Sequence, residues 1–160
     1  MASENLSAKP LNIVDGSSYK VAVVIARWNE EITSLLAGAC IKTLKEAKLK
    51  DENILVEYVP GSFELPLAAK WIIQRHKPDA VICIGCVIKG ETYHFELVAD
   101  ATAAGIMNLN LEFEIPVVMC VLADFNQQQS YDRSGGCKGN KGVEAAYTAL
   151  SMMEIGRKFK

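Results

Sequence analysis

The chain has 160 residues, half of them apolar and 22% charged, which is enough for one hydrophobic core and excludes a disordered polymer. Seventeen Lys and Arg against nineteen Asp and Glu leave a formal net charge of −2, so no basic excess points to nucleic acid. No apolar run reaches the length of a membrane span, although the mean hydropathy is +0.12.

Met1 to Tyr19 carries Ser, Lys, Pro, Asp and Gly with weak periodicity and reads as an arm, with a short strand at 11–14. A single domain follows from residue 20 to 160. The first fifteen residues lack a basic start followed by an apolar run, so no signal peptide is expected and the chain is expected in the cytoplasm.

Lys20 to Ala26 is a short β-branched run, the pattern of a buried strand. Ile32, Leu35, Leu36, Ala39, Cys40, Thr43, Leu44 and Ala47 then recur at helical spacing, with Asn29 as N-cap and Glu30 and Glu31 in the first turn. Asn53 to Val59 is a second strand, stopped by Pro60-Gly61. Phe63 to His76 is helical, with Leu67, Ala68, Trp71, Ile72 and Arg75 on one face and Pro66 in the tolerant first turn.

Ala80 to Ile88 is the third and most apolar strand, broken by Gly90-Glu91-Thr92. Phe95, Val98, Ala99, Thr102, Ile106 and Leu109 mark a long helix, and Ile115 to Leu122 is the fourth strand. A polar stretch from Asp124 to Gly136 holds a short helix. The last helix runs from Gly142 to Lys158, with Val143, Ala146, Tyr147, Leu150 and Met153 inward. Apolar strands alternating with helices imply an α/β fold: a four-stranded parallel sheet between two helical layers, a three-layer αβα sandwich.

Five cysteines, mostly inside apolar runs, read as buried thiols of a reducing compartment. Cys83 and Cys86 form a CxxC, whose functional reading is a redox pair or half a metal site. Within a strand, residues three apart face opposite ways, which argues against both.

Open parallel sheets bind ligands beyond the carboxyl ends of their strands. The loops there are Arg27-Trp28-Asn29, Pro60 to Glu64, Lys89 to His94, and Ala123 to Asn126. They gather an aromatic, a carboxylate and one of only two histidines. Gly90, Glu91 and Thr92 open a helix whose free N–H groups suit an anion; the plainer reading is a glycine turn with Thr92 as cap. His94 is a proton shuttle or a packed histidine, and His76 is solvated. Trp28 stacks on a planar ring or covers the sheet edge. Glu64 binds hydroxyls or complements a helix dipole. Arg133 and Lys141 matter only if this chain or a neighbour folds them over the site.

Four stretches carry a resemblance to a known family: 26–29 (ARWN), 59–66 (VPGSFELP), 85–96 (GCVIKGETYHFE) and 139–146 (GNKGVEAA). In this order and spread over residues 20 to 155, they closely resemble the lumazine synthases of riboflavin biosynthesis. The resemblance implies a flavodoxin-like topology and an N-terminal arm that adds a strand to a neighbouring subunit. It implies condensation of 5-amino-6-(D-ribitylamino)uracil with 3,4-dihydroxy-2-butanone 4-phosphate. The products are 6,7-dimethyl-8-ribityllumazine, phosphate and water, formed without a metal or organic cofactor.

By the same resemblance Trp28 stacks on the pyrimidine, with Asn29 beside it. Ser62, Phe63 and Glu64 bind the ribityl chain, and backbone at Val87 and Ile88 binds the uracil edge. Glu91 and Thr92 form the phosphate turn and His94 transfers protons. Arg133 pairs with phosphate from a neighbouring subunit, and Lys141 matches a further basic position. Met119 stands where many members have Phe in the ring pocket. Ala123 to Asn126 replaces a segment usually richer in Thr, and Ser134-Gly135-Gly136 varies the usual Ala-Gly. Implied partners are the two small-molecule substrates, further copies of the chain in pentamers and a hollow 60-subunit icosahedral shell, and riboflavin synthase. Two rival readings are a non-catalytic flavin- or lumazine-binding or shell protein of the same fold and a flavodoxin-like redox protein.

Overall fold

A computed structural model describes residues 14–159. The elements run β1 (Val21–Ala26), α1 (Glu30–Glu46), β2 (Ile54–Val59), α2 (Leu65–His76), β3 (Ala80–Ile88), α3 (His94–Phe113), β4 (Val117–Asp124), α4 (Gln127–Arg133), β5 (Ser134–Gly136), β6 (Gly139–Asn140) and α5 (Lys141–Arg157). Four strands make one parallel sheet in the order β2-β1-β3-β4. The chain leaves β1 toward β2 on one side and returns past it to β3 on the other. The carboxyl ends of β1 and β3 therefore flank a topological switch point, the place where open sheets form a ligand crevice.

Side-chain alternation divides the core into two layers. Val21, Val23 and Ile25 of β1 and Ile82, Ile84 and Cys86 of β3 pack with α1 and α5. Ala22, Val24, Val81 and Cys83 pack with α2 and α3. Cys83 and Cys86 thus lie on opposite faces, as the strand period requires, and cannot share a metal or close a disulfide. Helices α1 and α5 approach closely because α5 presents Gly142, Ala145, Ala146 and Ala149. A Cβ on Gly142 would lie 2.0 Å from the Leu36 carbonyl oxygen.

Several local expectations need correction. Asn29 stands at the N-cap position of α1 but makes no side-chain cap; it adopts a left-handed backbone with φ of 58°. Its amide reaches across the sheet instead, Nδ2 donating to the Cys86 carbonyl at 2.9 Å. On α2 the buried residues are Leu65, Ala68, Ala69, Ile72 and Ile73, while Leu67 and Trp71 are exposed. The expected face is rotated because the start of α2 is set by a tight turn at Ser62–Glu64, which seats Leu65 in the core. Strand β4 is displaced two residues toward the C-terminus of its expected span, since Pro116 cannot donate to a ladder, and its end at Asp124 pairs with Ile88. The hairpin β5–β6 is an element that apolar periodicity could not reveal, being built from Ser, Gly and Asn.

The expected strand at 11–14 lies almost wholly outside the described residues. Segment 14–19 packs on the core: Tyr19 is buried, its hydroxyl donates to Glu154, and Gly16 N–H donates to Ala47 C=O. Among the described residues no helix is long and apolar enough to cross a membrane.

Candidate active site

Three strand ends assemble the first group of residues. Trp28 follows β1 and is 65% exposed; its N–H donates to Pro60 C=O, which ties the β1 and β2 loops together. The indole lies against Gly61, where an added Cβ would come within 2.4 Å of Cε3, so only glycine lets the ring sit there. Ser62 is buried beside Gly85 of β3, and its Oγ has no hydrogen-bond partner among the described residues. Phe63 is exposed. Glu64 accepts the Gly61 N–H on Oε2 at 3.0 Å, so this carboxylate shapes its own turn and keeps Oε1 for another donor.

Strand β3 runs out of the core at Val87 and Ile88, which are half-buried, and Lys89 N–H donates to Asp124 C=O. Glu91, Thr92 and His94 are all exposed. Thr92 is not the cap: α3 starts after Tyr93, with no side chain capping it, and His94 is its first residue. The opening N–H groups of α3 are therefore turned outward beside His94, an arrangement that attracts an anion. Behind them Lys89 Nζ and Glu96 Oε1 pair at 2.7 Å, and the ammonium lies over the rings of Phe95 and Phe125. The pairing holds the Glu96 carboxyl below its usual range.

Met119, Arg133 and Lys141 form a second group. They line a groove of about 840 Å³ along the outer edge of β4, between α3 and α5, together with Met107 and Met152. None of Trp28, Ser62, Phe63, Glu64, Glu91, Thr92 or His94 lines it. The cations there are already engaged. Lys141 Nζ bonds both oxygens of Glu144 at 2.9 Å, and Arg133 Nε stands 3.8 Å from Asp124 Oδ1. Spacing along the chain did not reveal Asp124, because it and Arg133 sit on separate elements, whereas Lys141 and Glu144 are three apart on one helix, a spacing the sequence offers.

The thiols are chemically quiet. Burial pushes Cys83 and Cys120 up to about 12, and raises Cys86 despite its hydrogen bond to Ser130. Cys137, on the β5–β6 turn, is the exposed cysteine.

Fold and site together define an open parallel-sheet α/β protein that gathers an exposed indole, a carboxylate and the start of a helix at its carboxyl edge. The sequence profile of the 6,7-dimethyl-8-ribityllumazine synthase family matches residues 18–157. Proteins named 6,7-dimethyl-8-ribityllumazine synthase are similar over nearly the whole length. That of Parabacteroides distasonis is 47% identical, covering 96% of this chain and 97% of its own. That of Cytophaga hutchinsonii is 45% identical, covering 95% and 96%. That of Flavobacterium psychrophilum is 46% identical, covering 94% and 80%. The chain belongs to this enzyme family, which favours the catalytic reading over a non-catalytic binder.

Proposed function

We propose that the protein is a transferase of riboflavin biosynthesis. It condenses 5-amino-6-(D-ribitylamino)uracil with 3,4-dihydroxy-2-butanone 4-phosphate to give 6,7-dimethyl-8-ribityllumazine, phosphate and water. The observation that carries this reading is the convergence of Trp28, Ser62 to Glu64 and Val87 to His94 at the carboxyl ends of three adjacent strands. An exposed indole offers a face for the pyrimidine ring. Glu64 Oε1 is open to ribityl hydroxyls, and Val87 and Ile88 offer backbone to the uracil edge. The turn at Glu91 and Thr92 and the start of α3 suit the phosphate. The chemistry is imine formation, phosphate elimination and ring closure. These steps need proton transfers, for which His94 stands exposed at the rim, and a held leaving group.

The site is completed by a second copy of the chain. Arg133, Lys141 and Met119 share a groove that the first group does not line, so their use in one site requires a neighbour. Exposed Leu97, Met107, Leu111 and Met119 support such packing, since a solvated monomer rarely leaves this much apolar surface beside a sheet edge. Pentamers, and a 60-subunit shell built from them, are the assembly we favour. The N-terminal arm extends the sheet of a neighbour, and exposed Tyr58 and Trp71 at the β2 edge suit its landing. Four buried, unpaired thiols support a cytoplasmic setting.

The test is a turnover assay with both substrates, following the absorbance and fluorescence of the lumazine. Turnover that falls in both His94→Ala and Arg133→Ala is the expected result. Folded, assembled protein that does no better than the uncatalysed condensation would sink the enzyme reading.

A further inference from the structure

Asp124 ends β4 with a carboxylate that is only 8% exposed. A charge so placed is destabilising unless its oxygens find partners. Both partners come from α4. The Ser130 hydroxyl donates to Oδ2 at 2.9 Å, and Arg133 Nε lies 3.8 Å from Oδ1. Residues 130 and 133 are three apart, so a single helical face presents both to the strand end. Cys86 of β3 backs the cluster, its thiol donating to Ser130 Oγ at 3.5 Å.

The helix itself is held in register on the strand. Asn126 caps it by accepting the Gln129 N–H, and the Gln129 side chain accepts the Phe125 N–H. Gln129 C=O then accepts from Arg133 Nη1 at 2.9 Å. The guanidinium is thus hydrogen-bonded through one Nη1 hydrogen and within ion-pair distance of Asp124 on its Nε side. Its Nη2 amine and the outer Nη1 hydrogen have no partner among the described residues. Those two donors form the flat edge that accepts two oxygens of one phosphate.

We propose that Asp124 is a positioning residue, whose carboxylate turns the Nη1–Nη2 edge of Arg133 toward a phosphate-bearing ligand. The inference rests on Arg133 as the phosphate contact and adds what aims it. Lys141 shows the contrast: its ammonium donates to both oxygens of Glu144 and, being a rotating point charge, has no fixed planar edge to present. The opposite role, Asp124 as a neutraliser that weakens anion binding, makes the opposite prediction, because removing a negative charge beside Arg133 would then tighten phosphate.

The experiment uses the full assembled protein and compares wild type, Asp124→Asn, Ser130→Ala, Arg133→Ala and the Asp124→Asn, Arg133→Ala double variant. Asp124→Asn keeps the shape and removes the charge. It is expected to raise KM for the butanone phosphate about tenfold, the scale of one misaligned charge-assisted hydrogen bond, and to weaken inhibition by inorganic phosphate equally. KM for the pyrimidine and kcat stay unchanged, and the double variant is no worse than Arg133→Ala alone. Ser130→Ala shifts the phosphate KM in the same direction and less. An unchanged or lower phosphate KM in Asp124→Asn, equal damage to both KM values, or additivity with Arg133→Ala overturns the proposal. If Asp124→Asn does not fold, an unchanged phosphate KM in folded Ser130→Ala overturns it. If wild type itself does not turn over, the functional reading fails. Calorimetry with inorganic phosphate then decides the role of Asp124 alone: weaker binding in the variant supports it and equal or tighter binding overturns it.

Discussion

The rim at the ends of β1, β2 and β3 and the groove along β4 hold their candidate site residues in opposite conditions. At the rim Trp28, Phe63 and Tyr93 are more than half exposed, and His94 opens α3 without a capping partner. Its shape comes from backbone: Trp28 hangs on the Pro60 carbonyl, the indole lies on Gly61, and Ser62 fills the space left by Gly85. In the groove the candidate polar groups are charges, Arg133 and Lys141, and each is already matched by a carboxylate. A rim built from backbone and glycine presents surface without committing a charge. A groove of paired ions stays orderly until an anion competes for the cations. Substitutions should therefore act on the two regions through different quantities.

The sharpest way to break this contrast is catalytic. His94→Ala is expected to lower kcat by about a hundredfold or more, as loss of a general acid–base does. Arg133→Ala should act mainly through KM for the phosphate substrate, by about a hundredfold. Mixing the two impaired variants, unfolded and reassembled together, should restore part of the activity, because some neighbouring pairs combine an intact rim with an intact groove. No recovery in correctly assembled mixtures would place both residues in one chain's site and remove the need for a neighbour.

The next effect is on stability and sharpens the backbone half of the contrast. In Gly85→Ala the new Cβ would meet Ser62 Oγ at 2.4 Å and Leu65 Cδ1 at 3.1 Å. A loss of about 2 kcal/mol in denaturant unfolding is expected, with Ser62 displaced and KM for the pyrimidine raised. Trp28→Ala should do the reverse. Its side chain is largely exposed, so stability changes by less than about 0.5 kcal/mol, while KM for the pyrimidine rises about tenfold through lost stacking.

The smallest effect concerns the core beneath both regions. At neutral pH a thiol reagent read by mass spectrometry should label Cys137 quickly and the other four only after unfolding. The raised values of Cys83 and Cys120, near 12 against an ordinary 9, mean that the folded state keeps protons the unfolded chain loses. Stability is then complete below the unfolded thiol value and falls as pH rises through 9 toward 12. An unfolding midpoint that holds constant from pH 8 to 10 would contradict this burial.

Much of this was readable in advance, for identifiable reasons. Strand β3 was legible to the residue, because two-sided burial demands an unbroken apolar run and Pro78-Asp79 and Lys89-Gly90 bound it. The loops at the carboxyl edge follow from the alternation of strands and helices in a parallel sheet, and the VPGSFELP and GETYHFE stretches tie them to a family. Periodicity misplaces the buried face of α2, since it counts apolarity alone and Leu67 and Trp71 are apolar yet exposed. Thr92 has the chemistry of a cap but stands one residue before the N-cap position of α3, which Tyr93 occupies.

By itself the sequence determined the alternation of strands and helices, the opposite facing of Cys83 and Cys86, the carboxyl-edge loops and the family. These depend on local period, on steric punctuation by Pro and Gly, and on contiguous motifs. Only the tertiary structure decided that Asp124 meets Arg133, that Asn29 reaches Cys86 instead of capping its own helix, and that Arg133 lines a groove which His94 does not. Those facts join residues on separate elements, and hydrogen bonds and ion pairs act over a few ångströms of space, whatever the distance along the chain.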